Sequence, residues 1–335
     1  MKTKLVYVVV SSEKDIYLEQ ACVSMYSAKF YNPDIFITLL VDDKTNNILQ
    51  HDSYSAILQY SDEIIVEPLG DSYSPMVKSR LLKTSVRNLV HGTILYVDSD
   101  TIICGSLKDL DNLDCDIAAV WDTHCRLNEN PHREIVIGKY AKILNHDYEN
   151  DEEYFNGGVI FCKENHLTCA FYKQWNDNYR EGLQHNVRMD QPSLALTNSQ
   201  MGFVIKQLPD IYNCQLKFGY KYINDAIILH YLSTTIGGCR NNCSPFMNAE
   251  LYEEVKKNRG ITGKIKDLVN NPKVLSPGIV MYVSDEFFIK KSSPFTVLYN
   301  LHSSPNKWDK IQYRLSAKLI RFLNSIFVRL KALIK

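Results

Sequence analysis

The chain has 335 residues, enough to bury one large α/β core with a smaller appendage, or two modest domains. Its 38 basic and 38 acidic residues cancel. The basic excess is concentrated in an apolar amphipathic tail, which fits nucleic-acid binding poorly, and no apolar run approaches the roughly 20 residues that span a bilayer. Nine cysteines scattered without framework spacing fit a reducing compartment, and the one local pair, Cys239 and Cys243, lacks the second pair or nearby histidines of a zinc site.

Leu5 to Val10 is apolar and β-branched and reads as a first strand. It is too short for a signal-peptide core and runs into Ser11-Ser12-Glu13-Lys14-Asp15 with no small-residue cleavage site. From Asp15 to Tyr31 apolar residues recur at helical intervals, and Asn32-Pro33 ends the helix. Ile35 to Val41 predicts a second strand ending in Asp42-Asp43, and Ile64 to Val66 a short third. Ser74-Pro75 opens a helix running to about Val90, with Gly92 as its stop. Ile94 to Val97 is then a buried strand that ends in two carboxylates one residue apart, Asp98 and Asp100. Alternate side chains of a strand share a face, so both can aim at one point past the strand end. Paired hard oxygens there suit Mg2+ or Mn2+ shared with substrate phosphates. Asp109-Leu110-Asp111 and Asp114-Cys115-Asp116 repeat the spacing without an apolar run before them and read as solvated loop or helix start.

Ile117 to Val120 is a further strand, and the polar, irregular residues 121–153 read as a functional loop or lid. Phe155-Asn156-Gly157-Gly158-Val159 brings paired glycines into a buried strand, allowing close approach of backbone or ligand. Helical patterns follow at about 165–182 and 190–199, then a strand at Ile227 to Leu229 ending in His230. This βα alternation predicts an α/β fold, a mostly parallel sheet with helices on both faces. Ligands of such sheets gather beyond the carboxyl ends of the strands, where Ser11-Ser12, Asp42-Asp43 and Asp98/Asp100 would converge. The pattern loosens from about Cys239, which divides the chain into a main domain over 1–239 and a smaller, mainly helical extension over 240–335. Within residues 306–335, eight basic residues accompany one acid, a net +7 that leaves −7 on the rest. Leu315, Leu319, Phe322, Leu323, Ile326, Phe327, Leu330 and Ile334 recur there at helical spacing. Such a helix suits an anionic membrane surface; the alternative is a last helix packed on its own domain.

The order Arg80, Tyr96-Val97-Asp98-Ser99-Asp100, Phe155-Asn156-Gly157-Gly158-Val159, Asp190-Gln191 and Leu229-His230 resembles the retaining glycosyltransferases of family 8 over roughly residues 4–235. That resemblance implies a GT-A fold and a nucleotide-sugar-binding catalytic domain. It implies Asp98, Asp100 and His230 as ligands of Mn2+ or Mg2+, an imidazole beside two carboxylates favouring Mn2+. It also implies a UDP-sugar donor, galactose or glucose by family habit, with Tyr17 stacked on the base and Ser11, Ser12 and Asp42 or Asp43 at base or ribose. Ser99 lies within the donor-binding motif. Arg80 would contact the donor sugar and nearby acids, Asn156 and Gly157 would hydrogen-bond the sugar, and Asp190 would hold a sugar hydroxyl. Gln191 matches the residue beneath the anomeric carbon; an amide is a poor nucleophile, so the resemblance points to front-face transfer with Gln191 stabilising charge.

Other features of these segments read more plainly. Arg80 shares its helix with Lys78, Lys83 and Arg87, part of whose charge reads as a solvated face. Asp122 after Trp121 reads as an acceptor contact or as an exposed loop acid. Family members follow the histidine with a glycine and a diphosphate-binding lysine; here the run is His230-Tyr231-Leu232-Ser233-Thr234-Thr235, and Ser233, Thr234 or Arg240 are the available substitutes. The implied protein is a cytoplasmic enzyme, peripheral on the inner face of the membrane, acting on a bacterial surface-glycan or lipid-linked saccharide acceptor. Competing readings are an inverting GT-A enzyme, a sugar nucleotidyltransferase, and a non-catalytic nucleotide-sugar- or membrane-binding protein. The second normally shows a glycine-rich loop after strand one, which Val8-Val9-Val10-Ser11-Ser12 lacks, and the third would have lost a metal ligand.

Overall fold

The first apolar run forms strand β1 (Lys4–Val9), and its side chains divide by alternation between two cores. Leu5, Tyr7 and Val9 pack with Leu18, Ala21, Cys22 and Met25 of helix α1 (Tyr17–Tyr31). Helix α2 is Asp43–Leu49. Val6 and Val8 face the other way, toward Leu82 and Val86 of α3 (Pro75–Leu89) and toward Phe171 and Trp175 of α4 (His166–Gln184). A strand buried on both faces has no polar side, which is why it reads as a continuous apolar run. The computed structural model describes residues 1–51, 58–148, 153–218, 221–232, 244–275, 293–304 and 306–334.

β1 sits inside a seven-stranded sheet among the described residues. Strands β2 (Ile37–Val41) and β3 (Glu63–Val66) extend it in parallel on one side, and β4 (Ile94–Val97) pairs in parallel on the other. A second, three-stranded sheet begins with β5 (Thr101–Ile103), directly after the two aspartates. Beyond β4 the main sheet continues through β6 (Ile117–Trp121), β7 (Phe155–Cys162) and β8 (Lys206–Gln207), in the order β3-β2-β1-β4-β7-β6-β8. β7 is the one reversed strand, antiparallel to both β4 and β6. The α/β class and the mostly parallel sheet are thus as the sequence predicts. In the small sheet β5 pairs antiparallel with β10 (Ile228–His230), which runs parallel to β9 (Cys214–Gln215). That register puts His230 opposite Thr101, one residue from Asp100.

The expected excursion after β6 is structured where it is described. Short helical turns between 122 and 144 close over a small core of Leu127, Val136, Tyr148 and Tyr154, which Ala195 of α5 (Gln191–Gln200) joins. The described residues form two compact units, Met1–Ile279 and Val280–Lys335. In the first, Leu251, Tyr252 and Val255 of α6 (Ala249–Asn258) and Ile265 and Val269 of α7 (Gly263–Asn270) share an apolar cluster with Ile102, Leu229 and Tyr231. The second holds α8 (Ser293–Ser303) and α9 (Lys307–Ile334). Among the described residues no disulfide joins any of the seven cysteines, and Cys239 and Cys243 lie outside the described residues.

Candidate active site

Asp98 and Asp100 occupy the turn between β4 and β5, with their backbone fixed on three sides. The Asp98 N–H donates to Gly158 O (2.8 Å), Thr101 Oγ1 donates to Asp98 O (2.8 Å), and the Tyr231 N–H donates to Asp100 O (3.1 Å). His230 Nε2 lies 3.2 Å from Asp100 Oδ1 and 3.9 Å from Asp98 Oδ2. The three potential ligand atoms all lie within 4.8 Å of one another. Two carboxylate oxygens and one imidazole nitrogen, partly open to solvent on the carboxylate side, fit a divalent cation. Burial works against the charged form of Asp100, but the adjacent His230 outweighs it and holds the carboxyl below its ordinary range. The second glycine of β7 is required by this packing. A Cβ on Gly158 would lie 2.3 Å from His230 Cε1 and 2.8 Å from Asp98 Oδ2, closer than a Cβ can sit.

A second group of charges adjoins the first. Lys83 on α3 reaches Asp190 Oδ2 at 2.9 Å and Asp98 Oδ1 at 3.4 Å, with its ammonium 5.2 Å from the centre of the Tyr96 ring. Arg80 Nε is 3.5 Å from Asp190 Oδ1. Burial disfavours the ionised forms of both Lys83 and Asp190, yet each is held charged by its partners: Asp190 and Asp98 raise Lys83, while Lys83 and Arg80 lower Asp190. Tyr96 donates its hydroxyl to Asp98 Oδ1, and burial followed by the Asp98 charge pushes that phenol well above its usual range. The main chain of Asp190 is held too, its carbonyl accepting from Trp175 Nε1 (3.1 Å) and Ser193 Oγ (2.7 Å), and Gln191 follows as the first residue of α5. The solvated face expected on α3 is not there. Lys78, Lys83 and Arg87 are buried, because that face packs on the sheet and each cation meets an acceptor inside.

The loop after β1 is built around Asp15. Its carboxylate accepts from the Ser12 N–H (2.8 Å), from Ser12 Oγ (2.7 Å) and from Ser11 Oγ, and it also takes the Tyr17 N–H (3.2 Å). Tyr17 leaves this loop 49 % exposed, a free aromatic face. Lys256 of α6 donates to the carbonyls of Glu13 (2.7 Å) and Asp15 (2.6 Å) and so fastens the loop from behind. Asp42 is 1 % exposed. Its Oδ1 caps α2 by accepting from the Thr45 N–H (2.9 Å) and Thr45 Oγ1 (2.6 Å), and its Oδ2 pairs with Lys78 (2.9 Å). It therefore stands beneath the strand ends rather than at the surface, and burial, which would raise its carboxyl, is outweighed by these bonds. Asp43 and Ser99 are partly exposed at the same edge.

Asn156 and Gly157 lie at the start of β7, where a Cβ on Gly157 would crowd Lys83 Nζ at 3.2 Å and Asp190 Oδ2 at 3.3 Å. Asn156 is buried, bonded to Asn213 and Asp122. Asp122 is likewise buried, not an exposed loop acid, because the short turns after β6 fold over it. The next two residues, Thr123 and His124, are non-glycines at φ 58° and 61°, a strained pair held by Gln215 and Asp210. Sequence reasoning did not single out Asp15, Asn213 or Lys256, and it gave Lys83 no role in the site. Asn213, Lys256 and Lys83 are isolated residues whose partners are distant in the chain, whereas Asp15 bonds its near neighbours Ser11, Ser12 and Tyr17. Ser233, Thr234 and Arg240, the substitutes for a diphosphate-binding lysine, lie outside the described residues.

No protein-family model matches the chain, and no curated protein matches it in sequence. Among solved structures, the glycosyltransferase GlyE of Streptococcus pneumoniae TIGR4 matches at 21% identity over 84% of this chain and 67% of that one, with a TM-score of 0.48. The galactosyltransferase LgtC, in complex with donor and acceptor sugar analogues, matches at 14% identity over 79% and 99%, with a TM-score of 0.47. Mouse xyloside xylosyltransferase 1 matches at 14% identity over 69% and 98%, with a TM-score of 0.45.

Proposed function

We propose that this protein is a metal-dependent retaining glycosyltransferase of the GT-A kind. In this reading it moves a hexose, galactose or glucose, from a UDP-sugar to a surface-glycan or lipid-linked acceptor. The observation that carries the reading is the meeting of Asp98, Asp100 and His230 at the carboxyl edge of the sheet, with the charged pair Lys83–Asp190 bonded directly onto it. Asp98, Asp100 and His230 would hold Mn2+, and the bound ion would neutralise the diphosphate of the donor. The Asp15-ordered loop of Ser11 and Ser12 receives the ribose or base, with the exposed face of Tyr17 beside it. Asp43, rather than the buried Asp42, is the strand-end acid open to the nucleotide.

The sugar side follows from the Lys83 cluster. Asp190, kept ionised by Lys83 and Arg80, accepts hydrogen bonds from sugar hydroxyls, and the absence of a side chain at Gly157 lets the ring approach. The same pairing makes Asp190 a poor base for an acceptor hydroxyl, which supports retention over inversion. Gln191, next in the chain, stabilises positive charge at the anomeric carbon through its carbonyl oxygen. The acceptor hydroxyl attacks on the face from which the diphosphate leaves. Its oxygen bonds to the anomeric carbon as the carbon–phosphate oxygen bond breaks, and its proton passes to the leaving phosphate.

In the second unit α9 presents Trp308, Leu315, Leu319, Phe322 and Phe327 to solvent beside Lys307, Lys310, Arg314, Lys318 and Arg321. Among the described residues no helix is long and apolar enough to cross a membrane. An amphipathic basic helix of this kind lies in the surface of an anionic bilayer, and in this reading it brings the enzyme to a lipid-linked acceptor at the inner face of the cell membrane. The enzymatic reading is tested by UDP release from a panel of UDP-sugars, in Mn2+ and in EDTA, with Asp100→Ala as control. Metal-dependent turnover of one donor, lost in the variant, is the expected result. Turnover that is equal in EDTA, or untouched by the substitution, contradicts it.

A further inference from the structure

Beneath the three metal-ligand candidates runs a chain of buried side chains that the proposed chemistry does not use. His230 Nδ1 lies 2.9 Å from Asn213 Oδ1, Asn213 Nδ2 lies 3.0 Å from Asn156 Oδ1, and Asn156 Nδ2 lies 3.1 Å from Asp122 Oδ1. All four residues are buried. A carboxamide can be turned end for end, so a chain of them has no direction by itself. Here both ends impose one. Asn156 Oδ1 also accepts the Gly158 N–H at 3.0 Å, a backbone donor that cannot reverse, and the Asp122 carboxylate offers only acceptors. Asn156 therefore donates to Asp122, and Asn213 donates to Asn156. The Asn213 carbonyl oxygen is left facing the imidazole, where it accepts the Nδ1 hydrogen. A neutral His230 ring then carries no hydrogen on Nε2, and this nitrogen is the one facing Asp98 and Asp100. The far end is anchored as well, since Asp122 Oδ2 accepts from Asn130 Nδ2 at 3.1 Å.

We infer that Asn213, backed by Asn156 and Asp122, is a positioning residue that fixes the orientation and tautomer of His230 so that Nε2 is the free ligand nitrogen. The metal-binding part of this inference rests on the function proposed above. It also moves Asn156 from the sugar side to the support of the metal ligand. Partners of this kind, one bond behind a ligating histidine, are worth about 10- to 100-fold in metal affinity.

Two readouts test the inference. In metal-free protein, 15N NMR of His230 (assigned with His230→Gln) should find a hydrogen held on Nδ1; a ring with Nδ1 bare and its hydrogen on Nε2 overturns the inference. Mn2+ affinity in the presence of UDP, read from the electron paramagnetic resonance of free ion, should weaken about 10- to 100-fold in Asn213→Leu. Asn213→Asp, which keeps an acceptor opposite Nδ1, should recover to within about threefold. Should the Leu variant fail to melt as a folded protein, Asn213→Ala carries the same test, because it removes the acceptor opposite Nδ1 while Asn156 stays held by the Gly158 N–H. A folded variant of either kind with wild-type Mn2+ affinity overturns the inference. If wild type itself binds no Mn2+ with UDP, the proposed function fails instead, and the tautomer readout alone decides the role of Asn213.

Discussion

Helices α3 and α9 are built from the same materials, apolar residues with lysines and arginines at helical spacing, and they use them in opposite ways. On α3 the cations point inward, and each meets an acceptor: Lys78 meets Asp42, Lys83 meets Asp190 and Asp98, and Arg87 meets the carbonyls of Gly92 and Val90. On α9 Lys307, Lys310, Arg314, Lys318, Arg321 and Arg329 are exposed beside a row of large exposed apolar side chains, and Asp309 is the only acid in the sequence of the helix. What separates the two is long-range pairing. A buried cation persists where the fold brings a carboxylate or carbonyl oxygen within about 3 Å, while an unpaired one stays wet. Helical spacing records that a face is charged, not which side of the protein it faces.

That contrast can be broken most sharply at Lys83. Lys83→Met leaves Asp190 buried beside nothing but Arg80, and should cost about 3–5 kcal/mol of stability in urea unfolding and most of the turnover. The matching change on α9, Lys318→Met, should fall within about 0.5 kcal/mol of wild type. Equal costs at the two positions would erase the distinction.

Glu19 on α1 sharpens the comparison from the acid side. It is buried with Lys256 no closer than 3.9 Å. Burial first, with Asp15 and Glu253 adding to it, outweighs its backbone hydrogen bond and Lys256 and raises the carboxyl from 4.5 to about 7. A carboxyl whose folded value is raised favours folding while protonated. Its contribution is complete below its unfolded value and is lost as pH rises through the folded one. Between about pH 5 and about pH 8 the protein should therefore lose up to about 3 kcal/mol from this group. Glu19→Gln should flatten that part of the profile in denaturant titrations at the two pH values. An unchanged profile would mean Glu19 is better paired than the structure indicates.

The smallest effect expected per residue lies on α9. Lys318→Gln and Arg321→Gln together should weaken partitioning onto phosphatidylserine vesicles by about 2 kcal/mol, close to 30-fold, while hydrolysis of a soluble donor stays unchanged. Partitioning that ignores both changes and the vesicle charge would contradict the membrane role of this helix.

Much of the fold was readable in the chain because its strands are buried on both faces. β1, β2 and β4 stand out as apolar runs, and their parallel order carries Ser11-Ser12, Asp42-Asp43 and Asp98/Asp100 to one edge. His230 was legible only through the order of motifs shared with the resembling family, since a lone histidine after a strand is usually a packed residue. Its partner Asn213 was not, since it follows Ile211-Tyr212 in a turn with no motif, and only the pairing of β9, β10 and β5 brings it under the imidazole. Asp42 misled for the opposite reason. A strand-end acid reads as a ligand contact, but Thr45 three residues on makes it a helix cap and Lys78 seals it from solvent.

The central claim, that Asp98, Asp100 and His230 form a cation site serving a nucleoside diphosphate, is met most directly by calorimetric titration of UDP in Mn2+ and in EDTA, on wild type and His230→Ala. The account predicts binding in Mn2+ that weakens at least about tenfold both in EDTA and in the variant. UDP binding of equal strength in all three conditions would contradict it.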